Sequence, residues 1–310
     1  MSVDLAGAAA DFLRSRRARG YRLADHDWLI ANFLEFLAGH GANTITVPDA
    51  LAFAQAPAGT TRHWQATRLN VIREFAAHVH ALDPGAAELV PAGLIAAKTT
   101  RRIPYLYSQE QIMELMAAAA ILPQPMLAAS MHTLIGLLAA TGLRSGEAVA
   151  LDLEDLCPEP PVLTVTGKYG KERLVPIHAS TLQALSDYQR LRAALTAKAP
   201  AGPLLVGTRG NRLNLNSARA AFRRVANTAK LPTRPGGPTA RLHDLRHSFA
   251  VQTLIDAHRQ GADVDARIAV LATYLGHVDP LNTYWYLSAS PELMSVVRDR
   301  MAAFGQGGRS

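Results

Sequence analysis

Cysteine is nearly absent from this 310-residue chain, which has only Cys157 and so cannot form an intramolecular disulfide. A disulfide-stapled scaffold is excluded, and a reducing compartment is expected. The sequence also lacks any stretch of about 18 apolar residues, the length that a membrane-spanning helix requires. Its first 20 residues mix acidic and basic side chains without the apolar core of a signal peptide. We therefore expect a cytoplasmic protein without a membrane anchor.

Charged residues are scarce as well, at 18% against 49% hydrophobic residues, which excludes an intrinsically disordered chain. The charge that is present is basic: 32 lysines and arginines oppose 25 acidic residues, and only five of the 32 are lysines. Genomic base composition is one explanation for the surplus of arginine. Residues 190–246, however, hold 12 basic residues and a single acidic one, Asp244. Because ordinary surfaces intersperse the two signs, this segment is predicted to face a polyanion such as nucleic acid.

Helical periodicity dominates the first 82 residues. It predicts helices over 5–19, 23–39, a short stretch after Pro48, and 61–81. An Asp-Pro-Gly sequence at 83–85 interrupts the pattern, and no sustained periodicity follows until residue 107. Ser108 with Gln111 then forms a capping box that starts a new helix. The predicted organisation is an N-terminal helical domain (1–82), a linker (83–107) and a second domain (108–310).

The second domain mixes helices with a short β-rich region. Residues 161–166 and 173–177 flank the sequence GKYGK, which predicts a β-hairpin with a basic tip. Helices are predicted on both sides of this hairpin, at 109–119, 126–140, 146–150, 179–197, 216–229, 243–257, 264–274 and 291–303. The fold class is therefore mainly α with a small antiparallel sheet.

Four short motifs in the second domain carry chemically capable residues. They are ATGLRSGE (140–147), GKYGKER (167–173), HDLRHSFA (243–250) and LGH (275–277) with Tyr286 nine residues later. Each of them taken alone has a plain structural explanation.

Those explanations are local contacts and surface exposure. Arg144 could pair with Glu147 on the first turn of a helix, and Lys168 could be a solvated turn residue. His243 and Arg246 share a helix face and could cap the helix or pair with a neighbouring aspartate. His277 could end a helix, and the aromatic residues after it could be packing residues.

In this order, the four motifs resemble the catalytic signature of the tyrosine recombinase (phage integrase) family. The resemblance is close over residues 106–290 and extends to the N-terminal domain by layout. It implies a helical core-binding domain with a SAM-like bundle, followed by a catalytic domain with the DNA breaking–rejoining fold. It also implies a site-specific recombinase that cuts and rejoins duplex DNA through a 3′-phosphotyrosyl intermediate and a Holliday junction. No metal, ATP or other cofactor is expected.

The resemblance assigns a role to each residue of a six-member site. Arg144 and Arg246 clamp the phosphate, Lys168 protonates the leaving 5′-hydroxyl, His243 accepts the tyrosine proton, His277 donates to a phosphate oxygen, and Tyr286 is the nucleophile. These residue types suit the task, because guanidinium groups bind phosphate oxygens bidentately and phosphoryl transfer is catalysed by positioning and charge stabilisation. Tyr286 is preferred to Tyr284 because the family places its tyrosine nine residues after the LGH histidine.

Further basic residues are predicted to contact DNA. They are Arg62, Arg68, Lys98, Arg101, Arg102, Lys171, Arg173, Arg212, Arg219, Arg223 and Arg241. The expected partners are duplex DNA with inverted-repeat sites, further copies of this chain, and related recombinases of the same element, in association with the nucleoid. The copies are expected as a dimer on each site and a tetramer in the synapse, joined through helix 291–303.

Several alternatives stay open at this level. A type IB topoisomerase-like enzyme shares the chemistry, and a non-catalytic DNA-binding accessory protein shares the fold. Helix 291–303 could also pack on its own chain instead of a neighbour. Neither the recognised DNA sequence nor the kind of mobile element follows from these motifs.

Overall fold

The computed structural model describes residues 3–21, 23, 25–56, 58–97, 103–167, 170–196, 202–232 and 239–276. The chain divides into two compact units, Met1–Arg101 and Arg102–Ser310. Among the described helices, none is both long enough and apolar enough to cross a membrane.

The first unit is a helical bundle. Its described helices are α1 (Leu5–Ala18), α2 (His26–Gly39), α3 (Val47–Gln55) and α4 (Arg62–Leu82). Side chains of Asp4, Thr46 and Thr61 accept hydrogen bonds from the first turns of α1, α3 and α4, which sets where these helices begin. The core lies between the helices and is built around Phe33 and Phe75, which are fully buried.

Two features of the first unit differ from the sequence-based prediction. Helix α2 begins at His26 instead of residue 23, because Leu23 has a positive φ of 39°, which is incompatible with a helix. The segment after α4 is not a free linker. Ala87 forms a parallel bridge with Ile45, and Ala86 and Val90 are buried in the core of the first unit.

The predicted 83–107 linker is folded at its other end too. Tyr105 and Tyr107 are buried in the core of the second unit. The division between Arg101 and Arg102 therefore falls inside the predicted linker, and both ends of that segment belong to folded units. Sequence periodicity missed this because the segment packs through isolated apolar residues.

The second unit surrounds a buried helix with further helices and a small sheet. Its described helices are α5 (Gln109–Ala120), α6 (Pro125–Thr141), α7 (Ser145–Ala150), α8 (Ala179–Leu195), α9 (Leu215–Thr228), α10 (Asp244–Arg259) and α11 (Val264–Leu275). A 3₁₀ turn (Leu153–Asp155) precedes the strands β1 (Leu156–Pro158), β2 (Pro161–Thr166) and β3 (Glu172–Pro176). Helix α6 is buried on nearly all sides and packs against α5, α8, α9 and α10.

The fold class and most local predictions are confirmed. The unit is mainly helical, the hairpin β2–β3 pairs antiparallel with Val165 opposite Arg173, and the Ser108–Gln111 capping box is present. Strand β1 was not predicted. It pairs antiparallel with β2 over three residues, which is too short to show an alternating pattern. The predicted helix 291–303 lies outside the described residues.

Candidate active site

Arg144 stands where two helices meet. Helix α6 ends at Thr141, Gly142 follows with φ of 61°, and Arg144 is the residue before the first turn of α7. Glycine suits this turn for two reasons: the left-handed backbone penalises a side chain, and a Cβ here would lie 2.4 Å from the ring of Phe249. The ATGLR sequence thus turns the chain sharply and presents the arginine.

The guanidinium of Arg144 is held by two acceptors. Its Nη1 donates to Oε1 of Glu147 at 2.7 Å, and its Nη2 donates to the carbonyl oxygen of Gly276 at 3.0 Å. About 31% of the side chain remains exposed. The local Arg144–Glu147 pair therefore does form, and it fixes the orientation of a guanidinium that solvent still reaches.

Glu147 serves a second arginine as well. Arg173 on β3 donates from Nη2 to Oε2 at 2.8 Å and from Nη1 to Oε1 at 3.2 Å. Burial raises the pKa of this carboxyl, but the hydrogen bonds from Arg173 and Arg144 outweigh it, so the pKa is lowered overall. The carboxylate is ionised and binds both arginines.

Arg246 lies on the first turn of α10 and is almost fully buried, with 2% of its surface exposed. Its Nη1 donates to the carbonyl of Gly142 at 2.8 Å, and its Nη2 donates to the carbonyl of Leu275 at 2.9 Å. This arginine therefore joins the end of α6 to the end of α11.

The carboxyl end of α11 receives three arginines. Arg173 donates from Nε to the carbonyl of Tyr274 at 3.1 Å. Arg246 binds the next carbonyl and Arg144 the one after it. The last carbonyls of a helix have no partner within the helix and carry its negative partial charge, so guanidinium groups are suitable partners. Three guanidinium groups thereby hold the backbone of residues 274–276.

His243 precedes α10 and completes the described part of the site. The pKa of His243 is lowered to about 4, first by loss of hydration and second by the charge of nearby arginines. In order of effect the arginines are Arg246, Arg241, Arg144 and Arg219. Solvent reaches the residue and screens part of this charge. Because the pKa is lowered, the ring is neutral at pH 7 and can accept a proton.

Several hydrogen bonds fix the start of α10. The fully buried Asp244 accepts from both the backbone and the guanidinium of Arg241. Tyr107 donates from its backbone nitrogen to Ser248 Oγ at 2.8 Å and from its hydroxyl to the carbonyl of Arg241 at 2.9 Å. The orientation of His243 and Arg246 therefore depends on the segment at the start of the second unit.

Three of the six predicted catalytic residues are brought together: Arg144, His243 and Arg246. The other three, Lys168, His277 and Tyr286, lie outside the described residues. Described residues next to two of them are ordered by backbone contacts. Gly167 donates from its backbone nitrogen to the carbonyl of Lys171, and α11 ends at Leu275 with Gly276 as its C-cap.

The predicted DNA-contact residues fall into three groups. Arg62, Lys171, Arg219 and Arg223 are exposed. Lys98, Arg101 and Arg102 lie outside the described residues. The remaining four, Arg68, Arg173, Arg212 and Arg241, all bind groups within the protein.

Arg68 corrects the prediction that it is a surface contact, whereas Arg212 binds groups within the protein and still keeps 40% of its side chain exposed. Arg68 is 5% exposed; its Nη2 donates to the carbonyl of Phe53 at 2.7 Å, and its guanidinium lies 4.0 Å from the centre of the same ring. Arg212 donates to the last carbonyls of α7 and to Oδ1 of Asp152. Arg241 keeps an exposed face although Asp244 binds it. The positive charge of segment 190–246 is thus partly neutralised internally.

Sequence reasoning missed two acidic residues that organise the site, Glu147 and Asp244. Both lie three residues after an arginine, a spacing that indicated only a local pair. Their wider role depends on contacts between distant parts of the chain. Within the described residues, no cluster of three or more histidine, cysteine or acidic side chains could hold a metal ion.

Comparisons with known proteins show the family to which the chain belongs. The sequence model of the phage integrase family matches residues 106–292. An integrase/recombinase of Sinorhizobium fredii, y4rB, is 37% identical over 302 residues, which cover 95% of this chain and 96% of the relative. Tyrosine recombinase XerC of a Mycobacterium species (strain KMS) is 30% identical over 297 residues, 93% of each chain.

A solved structure shows the same fold. The Tn1549 transposon integrase, in complex with transposon right end DNA, matches with a TM-score of 0.62 at 16% identity, over 95% of this chain and 99% of that one.

Proposed function

Because this chain belongs to the phage integrase family and is a tyrosine-type site-specific DNA recombinase, we propose that it cuts and rejoins duplex DNA through a 3′-phosphotyrosyl intermediate on Tyr286. Exchange then passes through a Holliday junction. The observation that carries this proposal is that Arg144 and Arg246 bind the ends of α6 and α11 and that both charges act on the neighbouring His243.

The two arginines supply the charge that the reaction requires. Attack on a phosphodiester builds negative charge on the two non-bridging oxygens, and preorganised guanidinium groups stabilise it. Arg144 is partly exposed and anchored by Glu147, so its orientation is set before DNA binds. Arg246 is anchored by two backbone carbonyls. The scheme needs no metal ion, since the arginines neutralise the charge of the transition state.

Strand cleavage exchanges one phosphodiester bond for another. The Tyr286 hydroxyl oxygen attacks phosphorus while its proton passes to His243, whose neutral ring can accept it. The bond between phosphorus and the 5′-oxygen breaks, and Lys168 donates the proton that makes the leaving group a 5′-hydroxyl. His277 donates a hydrogen bond to a non-bridging oxygen. No ATP is consumed, because the phosphotyrosyl bond is itself a phosphodiester that a 5′-hydroxyl can attack in reverse.

Exposed arginines on α9 form the proposed DNA face of the second unit. Arg219 and Arg223 are one helical turn apart, and the opposite side of α9 is buried through Ala218, Phe222 and Val225. Arg219 is also among the charges that lower the pKa of His243, which supports a DNA face next to the site. In the first unit, Arg62 at the start of α4 is the corresponding exposed cation.

The proposal includes the number of copies that assemble on DNA. Two copies bind an inverted-repeat site and four copies form the synapse, with helix 291–303 of one copy packing on its neighbour. Related recombinases of the same element are proposed as alternative neighbours.

Trapping of the covalent intermediate tests the proposed function. The substrate is a duplex that the protein selects by binding from a randomised pool, here termed the selected duplex, with a nick at successive positions across it. When cleavage occurs next to a nick, the short 5′-hydroxyl fragment diffuses away and the adduct accumulates. We expect a covalent adduct with the unsubstituted protein and none with Tyr286→Phe, which should still bind the duplex.

Tyr284→Phe is the matched control, because it removes the same hydroxyl two residues away. It should form the adduct. An adduct with Tyr286→Phe but not with Tyr284→Phe would show that the nucleophile is misassigned, and binding without an adduct at any nick position would favour an accessory DNA-binding protein.

A further inference from the structure

The guanidinium of Arg173 binds groups within the protein through three of its nitrogen atoms. This residue lies on β3, the strand that leads away from the hairpin tip, and only 17% of its side chain is exposed. Three donors bind groups of the protein: Nε donates to the carbonyl of Tyr274, and the two terminal nitrogens donate to the two carboxylate oxygens of Glu147. The geometry at Glu147 is bidentate, which fixes orientation as well as distance.

Glu147 connects this arginine to Arg144. The same carboxylate accepts from Nη1 of Arg144 at 2.7 Å and from its backbone nitrogen at 3.0 Å. Among the described residues, removing Arg173 would leave the Glu147 carboxylate with Arg144 as its only arginine partner. The carboxylate would then be free to shift, and with it the guanidinium of Arg144.

Gly276 provides a second connection. A Cβ at this position would lie 3.2 Å from Nη1 of Arg173, so the glycine permits a close approach of the arginine to the backbone. The carbonyl of Gly276 accepts from Arg144. Arg173 therefore contacts both structures that hold Arg144, the carboxylate and the end of α11.

We propose that Arg173 is a positioning residue for strand cleavage: it orients Glu147 and the carboxyl end of α11 so that Arg144 faces the scissile phosphate, and it does not bind DNA itself. This inference rests on the proposed function, since it concerns the rate of the same cleavage step. Displacing a reacting group by about 1 Å can cost about 10²-fold in rate, which is the effect expected of losing such a residue.

The first test separates binding from cleavage. Arg173→Met keeps an unbranched, apolar stem and removes every hydrogen-bond donor of the guanidinium. On the nicked selected duplex we expect the Kd and its salt dependence to stay within about twofold of the unsubstituted protein, and the rate of adduct formation at saturating DNA to fall about 10²-fold. Arg223→Met provides the contrast: its Kd should weaken and the slope of log K against log salt should fall by about one.

Arg259→Met is the matched control for the substitution itself. Arg259 is exposed, lies near Asp256, and is outside both the proposed DNA face and the basic segment 190–246. Both its Kd and its cleavage rate should be unchanged. A Kd for Arg173→Met that weakens with a reduced salt slope, at an unchanged saturating rate, would overturn the proposal and make Arg173 a phosphate contact.

A double-mutant cycle tests whether Arg173 acts through Arg144. If it does, Arg173→Met should slow cleavage by less than about threefold in an Arg144→Lys background, because the guanidinium that it positions is already gone. A full 10²-fold loss in that background would show independent action and contradict the proposal.

A further variant shows whether slow cleavage results from loss of folding. Arg173→Met leaves a buried carboxylate with one charge partner fewer, which is destabilising. The double variant Arg173→Met/Glu147→Gln removes both charges, and its thermal unfolding midpoint and Kd report whether it is folded. It should bind the selected duplex and cleave slowly; cleavage at the unsubstituted rate would overturn the proposal. The unsubstituted protein in the same assay tests the proposed function separately. If the unsubstituted protein also forms no adduct, the proposed function fails.

Discussion

Arg246 and Gly142 are joined by a hydrogen bond of 2.8 Å, although 104 residues separate them in the sequence. The donor is a buried guanidinium at the start of α10, and the acceptor is the carbonyl of the glycine that ends α6. Two of the sequence motifs therefore meet through a backbone carbonyl and not through a pair of side chains.

Gly142→Ala should destabilise the second unit more than an ordinary glycine replacement. A residue other than glycine in the left-handed region costs roughly 1–2 kcal/mol, and the contact of 2.4 Å with Phe249 should add about 1–3 kcal/mol. Gly261→Ala is the control, since Gly261 has a φ of 71° with open space around it. Urea unfolding of both variants measures the difference. Equal losses of free energy would show that the Phe249 ring moves aside without cost.

Arg68 and Arg62 should separate stability from DNA binding within one helix. Arg68→Ala removes the hydrogen bond to Phe53 and the packing of a buried side chain, so we expect a loss of about 2–3 kcal/mol in the free energy of unfolding. Arg62→Ala, at an exposed position, should cost less than about 0.5 kcal/mol and weaken DNA binding. Denaturant unfolding and binding titrations check both variants, and the reverse pattern would place Arg68 at the DNA interface.

His243 should remain neutral well below the pH at which a histidine ordinarily charges. Its pKa of about 4 predicts no change in its ring signals between about pH 8 and 5.5 in an NMR titration, with His243→Asn identifying the signals. Arg219→Ala should raise the pKa, because it removes one of the responsible charges, and Arg190→Ala should not. Titration near pH 6.5 in the unsubstituted protein would contradict the combined effect of lost hydration and arginine charge on this ring.

The same shift predicts the direction of a pH effect on stability. The unfolded chain takes up a proton on this histidine near pH 6.5, whereas the folded chain does so only near pH 4. The contribution of His243 to stability is therefore fully present above pH 6.5 and is lost as the pH falls toward 4.

Lys168 should be distinguished from a DNA contact by a change in the leaving group. If it protonates the departing 5′-oxygen, Lys168→Ala should slow cleavage by roughly 10²- to 10⁴-fold. A bridging 5′-phosphorothiolate leaves as a thiolate that needs little protonation, so cleavage of this substrate by Lys168→Ala should be nearly as fast as by the unsubstituted protein. Lys171→Ala, in the same hairpin, should show no such rescue. Rescue of Lys171→Ala alone would identify Lys171 as the acid.

Much of the fold could be predicted from local sequence, and the roles of the arginines could not. Helix boundaries, the capping box at Ser108 and the hairpin all depend on residues within a few positions of each other. The partners of Arg173, Tyr274 and Glu147, lie 101 and 26 residues away, and Arg212 binds Asp152 from 60 residues away. A count of charges along the chain registers these arginines as available for DNA, because it has no information on what each one binds.

The predicted catalytic residues show the same limit in a different form. Arg144 and Glu147 form the local pair that the spacing indicated, and this pair also fixes the orientation of the guanidinium. A structural and a catalytic explanation of one contact were therefore compatible. Only the convergence of α6, α10 and α11 reveals the wider arrangement, and convergence depends on tertiary packing.

Identification of the residue that carries DNA tests the proposed chemistry most directly. The adduct trapped on the nicked selected duplex is digested with nuclease and protease, and mass spectrometry locates the remaining nucleotide. A nucleotide joined through its 3′-phosphate to the oxygen of Tyr286 is the predicted result. A nucleotide on Tyr284 or on any other side chain, or the absence of an attached nucleotide, would contradict it.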